Sequence, residues 1–118
     1  MKKVFLSIIS LLLSTFGMSQ EISGAWNGVL EVQGTTLRIV FHIEKDGSNY
    51  SSKMDSPDQG AFGIATASTS YENGSLTIEA PAMALTYEGK LSESGEKIEG
   101  TFKQGGMSLP LELGKEEV

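Results

Sequence analysis

The sequence predicts an all-β fold: an antiparallel meander of about eight strands that forms a small up-and-down, calycin-like barrel or a curled sheet. Two observations predict it. Apolar and polar residues alternate with a period of two along most of the chain after residue 20, and glycine-containing turns separate these runs. Alternation is common to barrels and sandwiches, so the pattern leaves that choice open.

Residues 1–19 have the features of a signal peptide. Two lysines at positions 2 and 3 precede an apolar stretch over 4–16, and Gly17-Met18-Ser19 places small residues before a cleavage point. The stretch is shorter than the roughly 20 residues of a membrane-spanning helix. We therefore expect cleavage near Ser19, no stable membrane span afterwards, and one exported domain over 20–118, periplasmic or secreted.

Six alternating runs place strands, at 26–32, 37–44, 76–79, 83–89, 97–103 and 107–113. The second run is the clearest, because its odd-numbered residues from 37 to 43 are all large and apolar. Asn73-Gly74 is typical of a tight hairpin turn with positive φ. Pro110 cannot donate a hydrogen bond to a neighbouring strand, so its strand is predicted to lie at an edge or seam.

The segment 56–64 interrupts this alternation of apolar and polar residues and is the one long loop that the sequence predicts. It is followed by 65–70, which contains only alanine, threonine and serine. Small side chains leave space that neighbouring strands fill with larger ones. This strand is therefore predicted to line a cavity or to be packed closely by another element; an irregular edge strand is the alternative.

Composition argues against most kinds of catalytic or metal site. The chain has no cysteine and a single histidine, His42, which alternation places on the solvent-facing side of its strand. Asp55 and Asp58 lack the spacing of a calcium loop and suit a polar turn. We assign no catalytic residue, metal ligand or cofactor, and expect a non-enzymatic protein.

The charge of the chain narrows the range of partners. Without Lys2 and Lys3, seven basic and fifteen acidic residues remain, a net charge of −8. Nucleic acids and anionic lipids attract clustered lysine and arginine, so neither is an expected partner.

Trp26 carries the first of two resemblances. Gly24-Ala25-Trp26 resembles the Gly-x-Trp at the start of lipocalin- and avidin-type barrels, which implies that the ring plugs the closed end. The alternative is a core tryptophan of the kind found in any small β-protein.

The second resemblance extends over most of 20–118. It is carried by Trp26-Asn27-Gly28, by the stretches Ser56-Pro57-Asp58-Gln59-Gly60 and Gly100-Thr101-Phe102-Lys103-Gln104-Gly105, and by Leu109-Pro110-Leu111. These stretches are similar to the β-domain that precedes α/β-hydrolase (serine esterase or peptidase-like) domains in exported proteins of Bacteroidetes-type bacteria. The chain stops at Val118, where such proteins continue into the hydrolase, so the resemblance transfers no catalytic residue.

We therefore expect an exported binding or accessory domain whose oligomeric state the sequence leaves open. Its partner would be a separately encoded hydrolase or a small apolar or glycan-like ligand. The predicted contact residues are Pro57, Asp58, Gln59, Phe62, Ile64 and Trp26.

The alternative is a hydrolase inhibitor or assembly subunit that acts through the 56–64 loop. A carrier predicts an internal void larger than roughly 300 Å³. Docking or inhibition predicts a filled core and an exposed apolar patch near Phe62, although that ring could instead fold inward and cap the core.

Overall fold

The computed structural model describes residues 22–118, so the predicted signal peptide lies outside the described residues. Nine strands and two short 3₁₀ turns make up this part of the chain. The strands are β1 (Gly24–Val32), β2 (Thr35–Asp46), β3 (Asn49–Ser56), β4 (Ala61–Ala65), β5 (Ser68–Glu72), β6 (Ser75–Ala80), β7 (Leu85–Leu91), β8 (Lys97–Gln104) and β9 (Met107–Gly114). The 3₁₀ turns, Pro57–Gln59 and Pro81–Met83, connect β3 to β4 and β6 to β7.

Eight of these strands close into an antiparallel barrel, which confirms the all-β barrel prediction. The strands pair in the order β2, β1, β9, β8, β7, β6, β5, β3, and pairing of β2 with β3 completes the ring. The join between β1 and β9 has one paired position, Asn27 with Gly114. Pro110 lies in β9 away from that pair, as predicted for a strand at a seam.

The barrel interior is filled by the apolar side of the alternating pattern. Trp26 and Leu30 of β1 point inward with Ile39, Phe41 and Ile43 of β2. The other strands contribute the remaining buried apolar residues: Met54, Leu76, Ile78, Ala80, Leu85, Tyr87, Ile98, Phe102, Leu111 and Leu113. The alternating pattern therefore predicts the inward faces of β1, β2 and β6 to β9 correctly, whereas Met54 lies on β3, where no alternating run was predicted.

Tyr87 brings a polar group into this core. Its hydroxyl donates a hydrogen bond to the carbonyl oxygen of Leu111, 2.8 Å away, and its ring lies 5.5 Å from that of Phe41. Burial raises the pKa of the Tyr87 phenol. Gly89 and Gly100 face each other across β7 and β8 and leave the space that the phenol occupies.

Two strand bounds predicted from the sequence are wrong. The alternating pattern predicts a strand at Met83, which lies in a 3₁₀ turn, because Pro81 begins that turn and the N–H of Ala84 closes it onto Pro81 O at 2.9 Å. The predicted strand at 65–70 is divided between β4 and β5. The chain changes partners there, since Thr66 N–H bonds to β3 and the next N–H bonds to β6.

Candidate functional site: the β3–β4 hairpin

The predicted loop at 56–64 is a compact hairpin between β3 and β4. Pro57 occupies the first turn of the 3₁₀ segment, where its fixed φ is compatible and its missing N–H costs nothing. Gly60 ends the turn with φ +71°, and its N–H donates to Pro57 O at 3.0 Å. A left-handed conformation is favourable for glycine at this position. The local sequence therefore specifies a tight reversal.

Asp58 fastens the tip of this hairpin to β2. Its carboxylate accepts a hydrogen bond from the backbone N–H of Arg38 at 2.8 Å, and another from the Arg38 Nη2 at 2.8 Å. The guanidinium Nε lies 3.2 Å from the same carboxylate. These hydrogen bonds from Arg38 lower the pKa of Asp58 below its ordinary value. The charge of Asp58 is thus directed at the barrel wall.

Asp55, on β3, makes a second set of contacts that connects this strand to β2 and to β4. One carboxylate oxygen lies 2.8 Å from His42 Nε2, and the other accepts the N–H of Gly63 at 2.7 Å. Partial burial acts to raise the pKa of Asp55, but the hydrogen bonds from Gly63 and His42 outweigh it and lower the pKa. Gly63 has φ +64°, so the carboxylate holds a bend that other residues disfavour.

Internal contacts complete the hairpin. The hydroxyl of Ser56, which is buried, donates to the Gln59 Oε1 at 2.6 Å. Ile64 is half-buried and packs against the core. Each predicted hairpin residue therefore has a defined place. The predicted contact residues did not include Asp55, or the partners Arg38 and His42, which lie on β2.

Phe62 differs from its neighbours because its side chain points into solvent. It is 66% exposed, the largest exposed fraction among the large apolar residues of 22–118. Its strand, β4, pairs with β3 on one side, and no strand within 22–118 pairs with its other edge. The hairpin thus presents an aromatic ring beside an open strand edge.

Trp26, the sixth predicted contact residue, is separate from this surface. It is fully buried near the start of β1, and its indole N–H donates to the carbonyl of Ile22 at 2.8 Å. Lys115 Nζ lies 5.4 Å from the ring centroid and covers it. Its position is that of a core residue where the chain enters the barrel.

The small residues at 65–70 lie beside a hydroxyl cluster. Ser52 Oγ is 2.9 Å from the hydroxyl of Thr66 and 2.8 Å from that of Thr69. The hydroxyl of Thr66 also donates to the Ser52 carbonyl at 3.0 Å. Polar side chains therefore occupy the space that the sequence predicts as a cavity lining.

Comparisons with protein-family models, with curated proteins and with solved structures found no match to this chain. The similarity to the hydrolase-preceding β-domain therefore stays a prediction. Within 22–118, no helix has the length and apolar character needed to cross a membrane. Function is accordingly inferred from the geometry of the hairpin.

Proposed function

We propose that this protein is a non-enzymatic binding module that docks onto a partner protein through the β3–β4 hairpin, with Phe62 as its anchor. The observation that carries the proposal is an aromatic ring, two-thirds exposed, on a hairpin fastened to the barrel. Aromatic anchors on ordered loops are frequent determinants of binding energy at protein interfaces.

The order of the hairpin supports this role. Both of its carboxylates have cationic or N–H partners on the barrel, so the loop conformation is held before a partner arrives. A surface that is already ordered loses less conformational entropy on binding. Neither fastening uses Phe62, whose ring is available for contact.

The filled interior favours docking over transport of a small ligand. Large side chains meet in the barrel centre, as in the ring contact between Phe41 and Tyr87, and the hydroxyl cluster of Ser52 lies beside the small residues. A carrier is expected to have a cavity in this region.

The resemblance found in the sequence suggests an exported hydrolase as the partner. Inhibition of that hydrolase by the same loop is the second candidate.

The test is affinity capture from an envelope extract with the immobilised protein and two variants. Phe62→Ser removes the anchor, and Met107→Ser is a matched control because Met107 is 41% exposed outside the hairpin. We expect one partner to be lost with Phe62→Ser and retained with Met107→Ser. Both variants should keep the wild-type melting temperature, because exposed side chains contribute little to stability.

Binding should then be measured with the purified partner. Loss of an aromatic anchor is expected to weaken the affinity by about thirtyfold or more, which corresponds to roughly 2 kcal/mol. Equal affinity of the wild type and Phe62→Ser would refute the proposal. Where the partner is a hydrolase, its turnover with the bound module distinguishes docking from inhibition.

A further inference from the structure

Asn27 occupies an unusual position on the outer wall of the barrel. Its neighbours Trp26 and Gly28 point inward, so alternation directs Asn27 outward, yet the residue is only 6% exposed. It lines a cleft together with Gly114 at the end of β9 and with the C-terminal residues 115–118. A polar side chain has therefore been buried on a face that is normally in contact with water.

The amide of Asn27 has no hydrogen-bond partner within residues 22–118. The other buried polar residues, Ser52 and Ser56, both have side-chain partners. Leaving a buried amide unpaired destabilises a fold. In the described chain, however, no buried side-chain nitrogen or oxygen atom is both sealed from solvent and unpaired. The Asn27 amide therefore opens toward solvent.

It opens into a half-open cleft of about 660 Å³ between β1, the end of β9 and the C-terminal segment. This volume is within the range of ligand pockets in proteins, about 300–1,000 Å³. Val29, 39% exposed, contributes an apolar patch beside the amide. The cleft thus combines the solvent-facing amide of Asn27, which has no side-chain hydrogen bond within 22–118, with a small apolar surface.

The charge of the cleft selects the class of ligand. Its charged lining residues are Glu96, Lys97, Glu112, Lys115, Glu116 and Glu117. Lys97 Nζ lies 3.6 Å from Glu112 Oε1, and Lys115 Nζ lies over the Trp26 ring. Neither Glu96 nor Glu116 forms an ion pair within 22–118. The lining thus carries more carboxylates than lysines, together with the Asn27 amide, and this set of acceptors suits a donor cation.

We propose that this cleft binds a primary ammonium group, with the Asn27 amide oxygen and the free carboxylates as its acceptors. Within 22–118, no group of three acidic or histidine side chains is arranged to hold a metal ion. The ammonium group could belong to a free diamine or to a lysine side chain. This site uses none of the hairpin residues and is independent of the docking proposal.

The test is an NMR titration that follows the side-chain NH₂ signals of Asn27 in the ¹⁵N-labelled protein. The probes are putrescine, Nα-acetyl-lysine methylamide and the neutral analogue 1,4-butanediol, all at constant ionic strength. We expect saturable shifts of these signals with one or both amines and none with the diol. Tighter binding of putrescine assigns the site to free diamines, and tighter binding of the lysine derivative assigns it to a protein side chain.

The decisive variant is Asn27→Leu, which keeps the size of the side chain and removes its amide. The amine affinity, followed by backbone amide signals of the cleft, should fall about tenfold or more. The melting temperature should not fall, because the amide has no partner within the described residues. Amine binding unchanged in Asn27→Leu, or absent Asn27 shifts in the wild type, would overturn the proposal.

A second pair of variants covers the case in which Asn27→Leu fails to fold. Glu96→Gln with Glu116→Gln neutralises the free carboxylates, and Glu31→Gln with Glu44→Gln removes two exposed carboxylates outside the cleft. The first double variant should weaken amine binding, whereas the second should leave it unchanged. Equal effects of both would show that only the net charge of the protein attracts the amine, and would refute a specific site.

Discussion

At the scale of single residues, the packing around Tyr87 shows how closely this small core is fitted. A Cβ at Gly100 would lie 2.6 Å from the Tyr87 hydroxyl and would also meet the Glu88 carbonyl oxygen. A Cβ at Gly89 would lie 2.9 Å from the same hydroxyl. These glycines therefore provide space, and the phenol in turn reaches over β8 to the Leu111 carbonyl on β9.

The substitution Gly100→Ala tests this packing. We expect a loss of about 1–3 kcal/mol in the free energy of unfolding, because the added methyl group overlaps backbone and side-chain atoms. Gly114→Ala is the matched control, since a methyl group added there would meet no atom within 4 Å. Urea denaturation measures both. A Gly100→Ala protein as stable as Gly114→Ala would contradict the close packing around Tyr87.

At the scale of elements, the β3–β4 hairpin is held by two carboxylates that act on different strands. Asp58 binds β2 through Arg38, and Asp55 links β2 to β4 through His42 and Gly63. Exposed ion pairs each contribute little to global stability. Their role is therefore local: they fix the conformation in which Phe62 is presented.

Acidification should break the hydrogen bonds that Asp58 and Asp55 accept. The folded protein lowers the pKa of Asp58 and of Asp55, so each carboxylate contributes stability above its unfolded pKa of about 3.9 and loses it as the pH falls through the lower folded value. The backbone amide signals of Arg38 and Gly63 report the two carboxylates separately. We expect both signals to titrate below about pH 4.

The variant Asp58→Asn separates the two transitions. The acid transition of the Arg38 amide should disappear, while that of the Gly63 amide stays, because Asp55 is unchanged. Titration of either wild-type amide above the ordinary aspartate range would contradict the hydrogen bonds described.

At the scale of the whole molecule, the barrel is stabilised by packing and strand pairing without disulfides. The chain contains no cysteine, and its core is closed at the entry of the chain by Ile22, which is fully buried and accepts the hydrogen bond of the Trp26 indole. Ile22 lies three residues after Ser19, the predicted cleavage position. Processing at Ser19 would therefore leave the complete barrel, whereas a cut beyond Ile22 would remove part of its core.

We expect export with cleavage after Ser19, so that the mature chain begins at Gln20. Intact mass and N-terminal sequencing of the protein recovered from a bacterial periplasm measure this directly. Ser19→Arg should block processing, because the cleavage site requires a small residue, while Ser10→Ala should be processed normally. Recovery of uncleaved wild-type protein in the cytoplasm would contradict the prediction.

The alternating pattern predicts six of the nine strands, β1, β2 and β6 to β9, and the faces that they bury. Side chains alternate between the two faces of a strand, so the inward residues from Trp26 to Leu113 follow from local pattern. The turn at Asn73-Gly74 also follows, since both residues have positive φ there. Exposure of Phe62, one of two alternatives in the sequence, agrees with its place on a predicted loop.

The contacts between residues far apart in the sequence are seen only in the tertiary structure. Closure of the barrel depends on the pairing of β2 with β3 and of β1 with β9, and the second pair joins residues from opposite ends of the described chain. Arg38 and Asp58 are separated by 20 positions, so no local pattern identifies them as partners. Alternation places Asn27 on the outward face of β1, yet the residue is only 6% exposed in the folded chain. Alternation is a property of each strand, whereas register, closure and covering segments depend on contacts between strands far apart in sequence.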